Sequence, residues 1–151
     1  MAGKGFRFRF QKILDVREQQ QKALEVQLAQ SDEAVATCCR ELQHWRDMRH
    51  HLLDQIGRFR ADANLEEARR CAEYLGHVRK QVATARGKLQ DLRRQREEVR
   101  AELAEVLKSH KMLENYRERL KQEFASEQEK VEQMNLELHA VRKFIQAEGI
   151  A

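Results

Sequence analysis

The chain has 151 residues, of which 36% are charged, 41% hydrophobic and 6% aromatic, with a net charge of +4. It contains no proline and six glycines, where average usage gives roughly seven and ten. Together with three Asn and six Asp, this leaves too few turn formers for a sandwich or an alternating βα domain, which turn every ten residues or so. Long helices remain. No apolar run approaches the roughly 20 residues of a membrane span. Residues Met1–Phe10 hold no apolar core of the kind a signal peptide carries, so none is expected. Cys38, Cys39 and Cys71 form no Cys-x-x-Cys spacing, which argues against a disulfide framework or a zinc cage and for a reduced, cytosolic setting.

The first element is a heptad ladder. Starting from Phe10 (d) and Leu14 (a), the a positions run Arg7, Leu14, Gln21, Leu28, Val35, Leu42, Arg49, Ile56. The d positions run Phe10, Arg17, Leu24, Ser31, Cys38, Trp45, Leu52, Phe59. Eleven of sixteen are apolar, against about six or seven expected from 41% hydrophobic usage. The ladder predicts a helix over about residues 6–60.

A break follows over 61–63. Asn64 with Glu67 three residues on has the spacing of a capping box, which predicts a second helix over about 64–147. Its a positions are Leu75, Val82, Leu89, Arg96, Leu103, His110, Arg117, Phe124, Val131, Leu138 and Ile145. Its d positions are Val78, Ala85, Leu92, Val99, Val106, Leu113, Leu120, Glu127, Met134 and Val141. Seventeen of these twenty-one are apolar. Strict 3-4 spacing over this length reads as a coiled coil.

The fold class expected is therefore all-α: one domain over 1–151, a long two-helix antiparallel coiled-coil hairpin. Leu14 would face Leu113, Trp45 face Val82, and Leu52 face Leu75. In this register Arg17 meets His110 and Ser31 meets Arg96, so polar residues share layers. A one-heptad slip either sets Arg17 against Arg117 or turns every polar residue onto an apolar one. The second arm overhangs the first beyond about Phe124, yet its stripe continues through Val131, Met134, Leu138, Val141 and Ile145. An uncovered apolar stripe of this kind signals a partner, or self-association.

No catalytic constellation is present. Glycines never cluster into a phosphate-binding loop. Ser31, Ser109 and Ser126 lie within the helical pattern, and the histidines lack chelating spacing, so neither an enzyme nor a cofactor or metal is expected. Residues 69–100 carry ten Arg or Lys against four acids. They lack the interleaved aromatics that stack bases, so nucleic acid is not expected as a partner. The alternation Phe6-Arg7-Phe8-Arg9-Phe10 either dips into a membrane interface or closes the open end of the hairpin by packing on the second arm. The second is preferred.

Three stretches carry a family resemblance: Phe8-Arg9-Phe10-Gln11-Lys12-Ile13-Leu14-Asp15-Val16-Arg17-Glu18, Tyr74-Leu75-x-x-Val78-x-x-Gln81-Val82, and Lys111-Met112-Leu113-Glu114-Asn115-Tyr116-Arg117-Glu118-Arg119. In order and spacing the chain resembles the flagellar export protein FliJ, with Tyr116 standing where a smaller leucine-like residue is more usual. The resemblance implies a non-enzymatic stalk and chaperone escort of the flagellar type III export apparatus. It implies three partners: the export ATPase hexamer, the cytoplasmic domain of the export gate, and export chaperones. Location at the cytoplasmic face of the bacterial inner membrane follows, with at most peripheral attachment and a monomer when free. Phe10, Ile13, Leu14, Phe124, Val131, Met134, Leu138, Val141 and Ile145 would then form the ring-binding end. Glu41, Trp45, Met48 and Tyr74 would meet the gate, while Leu52 and Val78 read as core. The alternatives are the equivalent stalk of an injectisome system, or a scaffolding coiled coil that dimerises in parallel.

Overall fold

A computed structural model describes residues 5–149. Residues 1–4, which enter the signal-peptide argument, and residues 150–151 lie outside the described residues. Two helices account for nearly all of the described chain: α1, Gln11–Ala61, 51 residues, and α2, Leu65–Gly149, 85 residues. The two pack against each other, and no strand occurs among the described residues. The all-α hairpin is therefore the fold.

The turn between the helices is built from residues that satisfy helix ends. Asn64 N–H donates to the Phe59 carbonyl at 2.8 Å, and Ala63 N–H donates to the Arg60 carbonyl at 3.2 Å. This pair of bonds is the Schellman pattern, which satisfies carbonyls that the last turn leaves open. It requires a left-handed residue, and Ala63 takes that role with φ 55°. Asn64 then caps α2, its Oδ1 accepting from Glu67 N–H at 3.4 Å. The reciprocal half of the capping box is not made, because the Glu67 carboxylate pairs with Arg70 at 3.1 Å. Arg58 and Arg60 close α1, and Glu66 and Glu67 open α2. Both placements oppose the helix dipoles favourably.

The chain divides into two compact units. In the unit Gln21–Glu105 the apolar seam is best filled toward the turn. Val35, Cys38, Leu42, Leu52, Ile56, Leu75, Val78, Val82, Ala85 and Leu89 form one buried cluster, with Trp45, Met48, Cys71 and Leu92 packed against it. Every one of these except Met48 sits at a or d; Cys39, also packed against the cluster, sits at e. The expected pairing is visible in detail. Ser31 shares a groove with Leu92, Gln95 and Val99, the residues that surround Arg96 on α2, as knobs-into-holes packing requires of a Ser31–Arg96 layer. The Cys38 thiol donates to the Ala85 carbonyl at 3.6 Å, one turn before Leu89. A slip of one heptad would have moved Ser31 next to Leu89 or Leu103. Arg96 itself passes the serine and reaches Asp32, Nη1 to Oδ1 3.8 Å, with Arg100 beside it at 4.0 Å. Its Nε stays buried without a hydrogen-bond partner, a local cost that an apolar residue at this a position would not carry.

The other unit joins the segment up to Gln20 with α2 from Val106 onward. Here the first residues depart from expectation. Helix α1 begins at Gln11 and not near residue 6, so Arg7 is not a rung of the ladder. Residues 5–8 run without regular structure and the chain turns at Arg9–Phe10, where Gln11 N–H donates to the Phe8 carbonyl at 3.2 Å. Phe6 rests on Phe124 with ring centroids 5.7 Å apart, and Phe8 and Phe10 approach Tyr116 at 6.1 and 6.3 Å. The aromatic start thus closes the hairpin and leaves Phe8 only 9% exposed. Arg117 Nη1 adds a hydrogen bond to Gln11 Oε1 at 3.3 Å. His110, the expected polar partner of Arg17, bonds instead along its own helix to Glu114 at 3.0 Å.

A left-handed L-residue costs about 1–2 kcal/mol, of which the greater unfolded freedom of glycine returns about 0.4–1 kcal/mol. Ala63→Gly is accordingly expected to stabilise the chain by about 0.5–1 kcal/mol, read as a higher urea midpoint with an unchanged slope.

Candidate partner-binding surfaces

Two surfaces stand out, and the first follows a simple rule. A heptad stripe stays in the seam while a second helix covers it and becomes surface where cover ends. On α2 the a and d positions from Leu75 to Phe124 are buried or half-buried, and every residue from 125 to 149 is exposed. That exposed segment spans about 37 Å of helix. Val131, Met134, Leu138, Val141 and Ile145, read from the sequence as an overhanging stripe, are each half or more exposed, from 50% for Val131 to 61% for Ile145. Phe144, 64% exposed, was missed because it lies at g. Its place beside Ile145 and one turn after Ala140 widens the stripe, and spacing along the helix face was the available signal.

The remaining residues grouped with this end differ in access. Ile13 is exposed, and Phe10 and Phe124 are half-buried against aromatic neighbours. Leu14 is 3% exposed and lies within the seam, so its side chain packs and offers no free surface. Tyr116, the departure from the family pattern, is the platform that receives Phe8 and Phe10.

The second surface lies in the unit Gln21–Glu105. Trp45 is too wide for its d position, and its indole emerges half-buried between two imidazoles. The ring of His44 lies 5.3 Å from it and that of His77 lies 6.2 Å away, both edge-on. His77 in turn stacks on Tyr74 at 5.8 Å and 28°. His77 thus joins Trp45 of α1 to Tyr74 of α2 in one aromatic cluster. Sequence reasoning passed it over, although its i+3 spacing from Tyr74 puts the two on one face. Met48 is half-buried on the core, and Glu41 is exposed on α1. Leu52 and Val78 are buried at 7% and 0%, as core residues should be.

Among the described residues no group of three His, Cys, Asp or Glu is placed to hold a metal ion, and no helix is long and apolar enough to cross a membrane. The geometry defines a class: an antiparallel two-helix coiled coil whose longer helix carries its heptad stripe beyond the cover of the shorter one. The family described as Flagellar FliJ protein matches residues 6–149, and the chain belongs to that family. Its members are non-catalytic components of flagellar protein export. No curated protein and no solved structure matches the chain.

Because Leu138 and Val141 touch no second helix, Leu138→Asp/Val141→Asp should leave the seam intact. Far-UV circular dichroism is expected to show native helicity, with an unfolding free energy within about 0.5 kcal/mol of the parent, the range of exposed substitutions.

Proposed function

We propose that this chain is the stalk and chaperone escort of a flagellar type III export apparatus. It inserts the end bearing the stripe into the export ATPase hexamer and meets the cytoplasmic domain of the export gate elsewhere. The observation that carries this reading is the exposed apolar stripe of α2, which begins where cover by the N-terminal segment ends. In water such a stripe favours burial at roughly 25 cal/mol per Å², and a ring lumen lined by apolar side chains supplies that burial. Ile13, Val131, Met134, Leu138, Val141, Phe144 and Ile145 make the contacts. Phe10, Leu14 and Phe124 serve from within by holding the N-terminal segment on α2.

The mechanism is coupling. A helical element held among six similar subunits meets each at a different angle and biases their nucleotide states in turn. Gate contact through Trp45, Met48 and Tyr74, with Glu41 beside them, links those states to export, and export chaperones are released and recaptured at the same assembly. The protein works at the cytoplasmic face of the inner membrane with at most peripheral attachment, and is a monomer when free.

The stripe is tested with the same double variant. Leu138→Asp/Val141→Asp is expected to abolish co-purification with the export ATPase and stimulation of its hydrolysis. Full stimulation by a folded variant would overturn ring insertion.

The gate patch is tested separately. Tyr74→Ala removes an exposed ring at a predicted contact, a change of about 1–2 kcal/mol where such a residue anchors an interface. Pull-down of the gate's cytoplasmic domain should weaken about tenfold, while ATPase binding stays unchanged.

A further inference from the structure

Several cations of the two helices are matched by carboxylates one turn away. Arg58 pairs with Asp54, Arg69 with Glu73, Arg70 with Glu67, Arg94 with Asp91 and Arg100 with Glu97. The N-terminal segment and the stretch of α2 beneath it gather a group of cations that are not. Residues 6–12 and 116–121 contain Arg7, Arg9, Lys12, Arg117, Arg119 and Lys121 against a single acid, Glu118. Among the described residues none of these six cations has a carboxylate within ion-pair reach. Arg9 and Arg119 instead lie over the rings of Phe10 and Tyr116, at 5.6 and 5.2 Å.

Three of the six converge on one feature. Phe6, Arg7, Phe8, Gln11, Arg117 and Lys121 line an open groove of about 540 Å³, with an aromatic wall, cations from both chain segments and no acid. We infer that this groove docks an acidic segment of a protein partner, its carboxylates on Arg7, Arg117 and Lys121. Arginine favours carboxylates through its paired N–H donors. A bilayer is the poorer match, because interfacial binding needs apolar rings free to enter the lipid. Phe8 is buried and Phe6 is engaged with Phe124. For the same reason no aromatic face is left to stack a base. The groove uses charge and a different set of residues from the apolar stripe, so this inference stands apart from ring insertion.

The test uses the full-length chain and a fluorescent helical peptide of Glu, Leu and Ala, with a counterpart carrying Gln for Glu. Anisotropy should show binding of the acidic peptide that weakens steeply with added salt, and little binding of the Gln peptide. Arg7→Gln/Lys121→Gln should lower affinity about tenfold, which corresponds to two modest charge-assisted contacts. Arg69→Gln/Arg70→Gln, which removes two cations already paired, should leave it nearly unchanged. Equal losses in the two variants would reduce the effect to net charge and overturn the inference. So would equal binding of the Gln peptide, or stronger binding to vesicles of phosphatidylglycerol and phosphatidylcholine than to the peptide. Salt dependence and the Gln peptide are read on the unaltered chain, so the outcome does not depend on any variant folding. Loss of groove binding with ATPase stimulation retained separates this site from the stripe.

Discussion

Everything in this molecule follows from one mismatch: two helices carry heptad stripes, and one is much longer than the other. An apolar stripe at 3-4 spacing demands a second stripe to cover it. Where α1 and the N-terminal segment supply that cover, α2 is buried or half-buried at each a and d position. Beyond Phe124 the same pattern of residues meets only solvent. The core and the candidate binding surface are therefore one repeat in two environments, and the point where cover ends separates buried residues from exposed ones.

Register keeps that division in place. The turn is stopped at both ends by hydrogen bonds, through Ala63 in the left-handed region and Asn64 as cap. In the other unit, the aromatic start seats on Tyr116 and Phe124. Each unit's seam carries a polar layer, at Ser31–Arg96 and around His110, which weakens burial locally. Arg96 finds only a long contact to Asp32 and keeps a buried Nε without a partner. Such layers cost stability and are retained in coiled coils where they set pairing. Here they penalise a slip that would move them onto apolar neighbours.

Beside the family assignment, the structure offers surfaces of different physical character. Three such surfaces are distinguishable by their physics: an apolar stripe, a cluster in which Trp45 and Tyr74 are bridged by His77, and a groove rich in unpaired cations. Hydrophobic burial, aromatic packing and salt-sensitive attraction respond differently to ionic strength and substitution.

Composition and periodicity alone determined the helical class, the two arms, the seam residues and the existence of an uncovered stripe, because heptad spacing and the absence of proline are local properties that any helix must express. Asn64 and Glu67 located the turn for the same reason. Tertiary structure decided the rest. The alternation of Phe6, Phe8 and Phe10 with arginines was legible, but its consequence was not: the segment stays outside α1 while its rings rest on Tyr116 and Phe124, more than a hundred residues away. Heptad position separated Leu14, at a, from its equally apolar neighbour Ile13, and the packed partner helix leaves one 3% exposed and the other 44%, which divides two residues that the resemblance groups at one binding end. His77 joins Trp45 to Tyr74, and Arg7 joins Lys121, across two chain segments, and no spacing along one segment encodes a meeting that depends on how both are laid together.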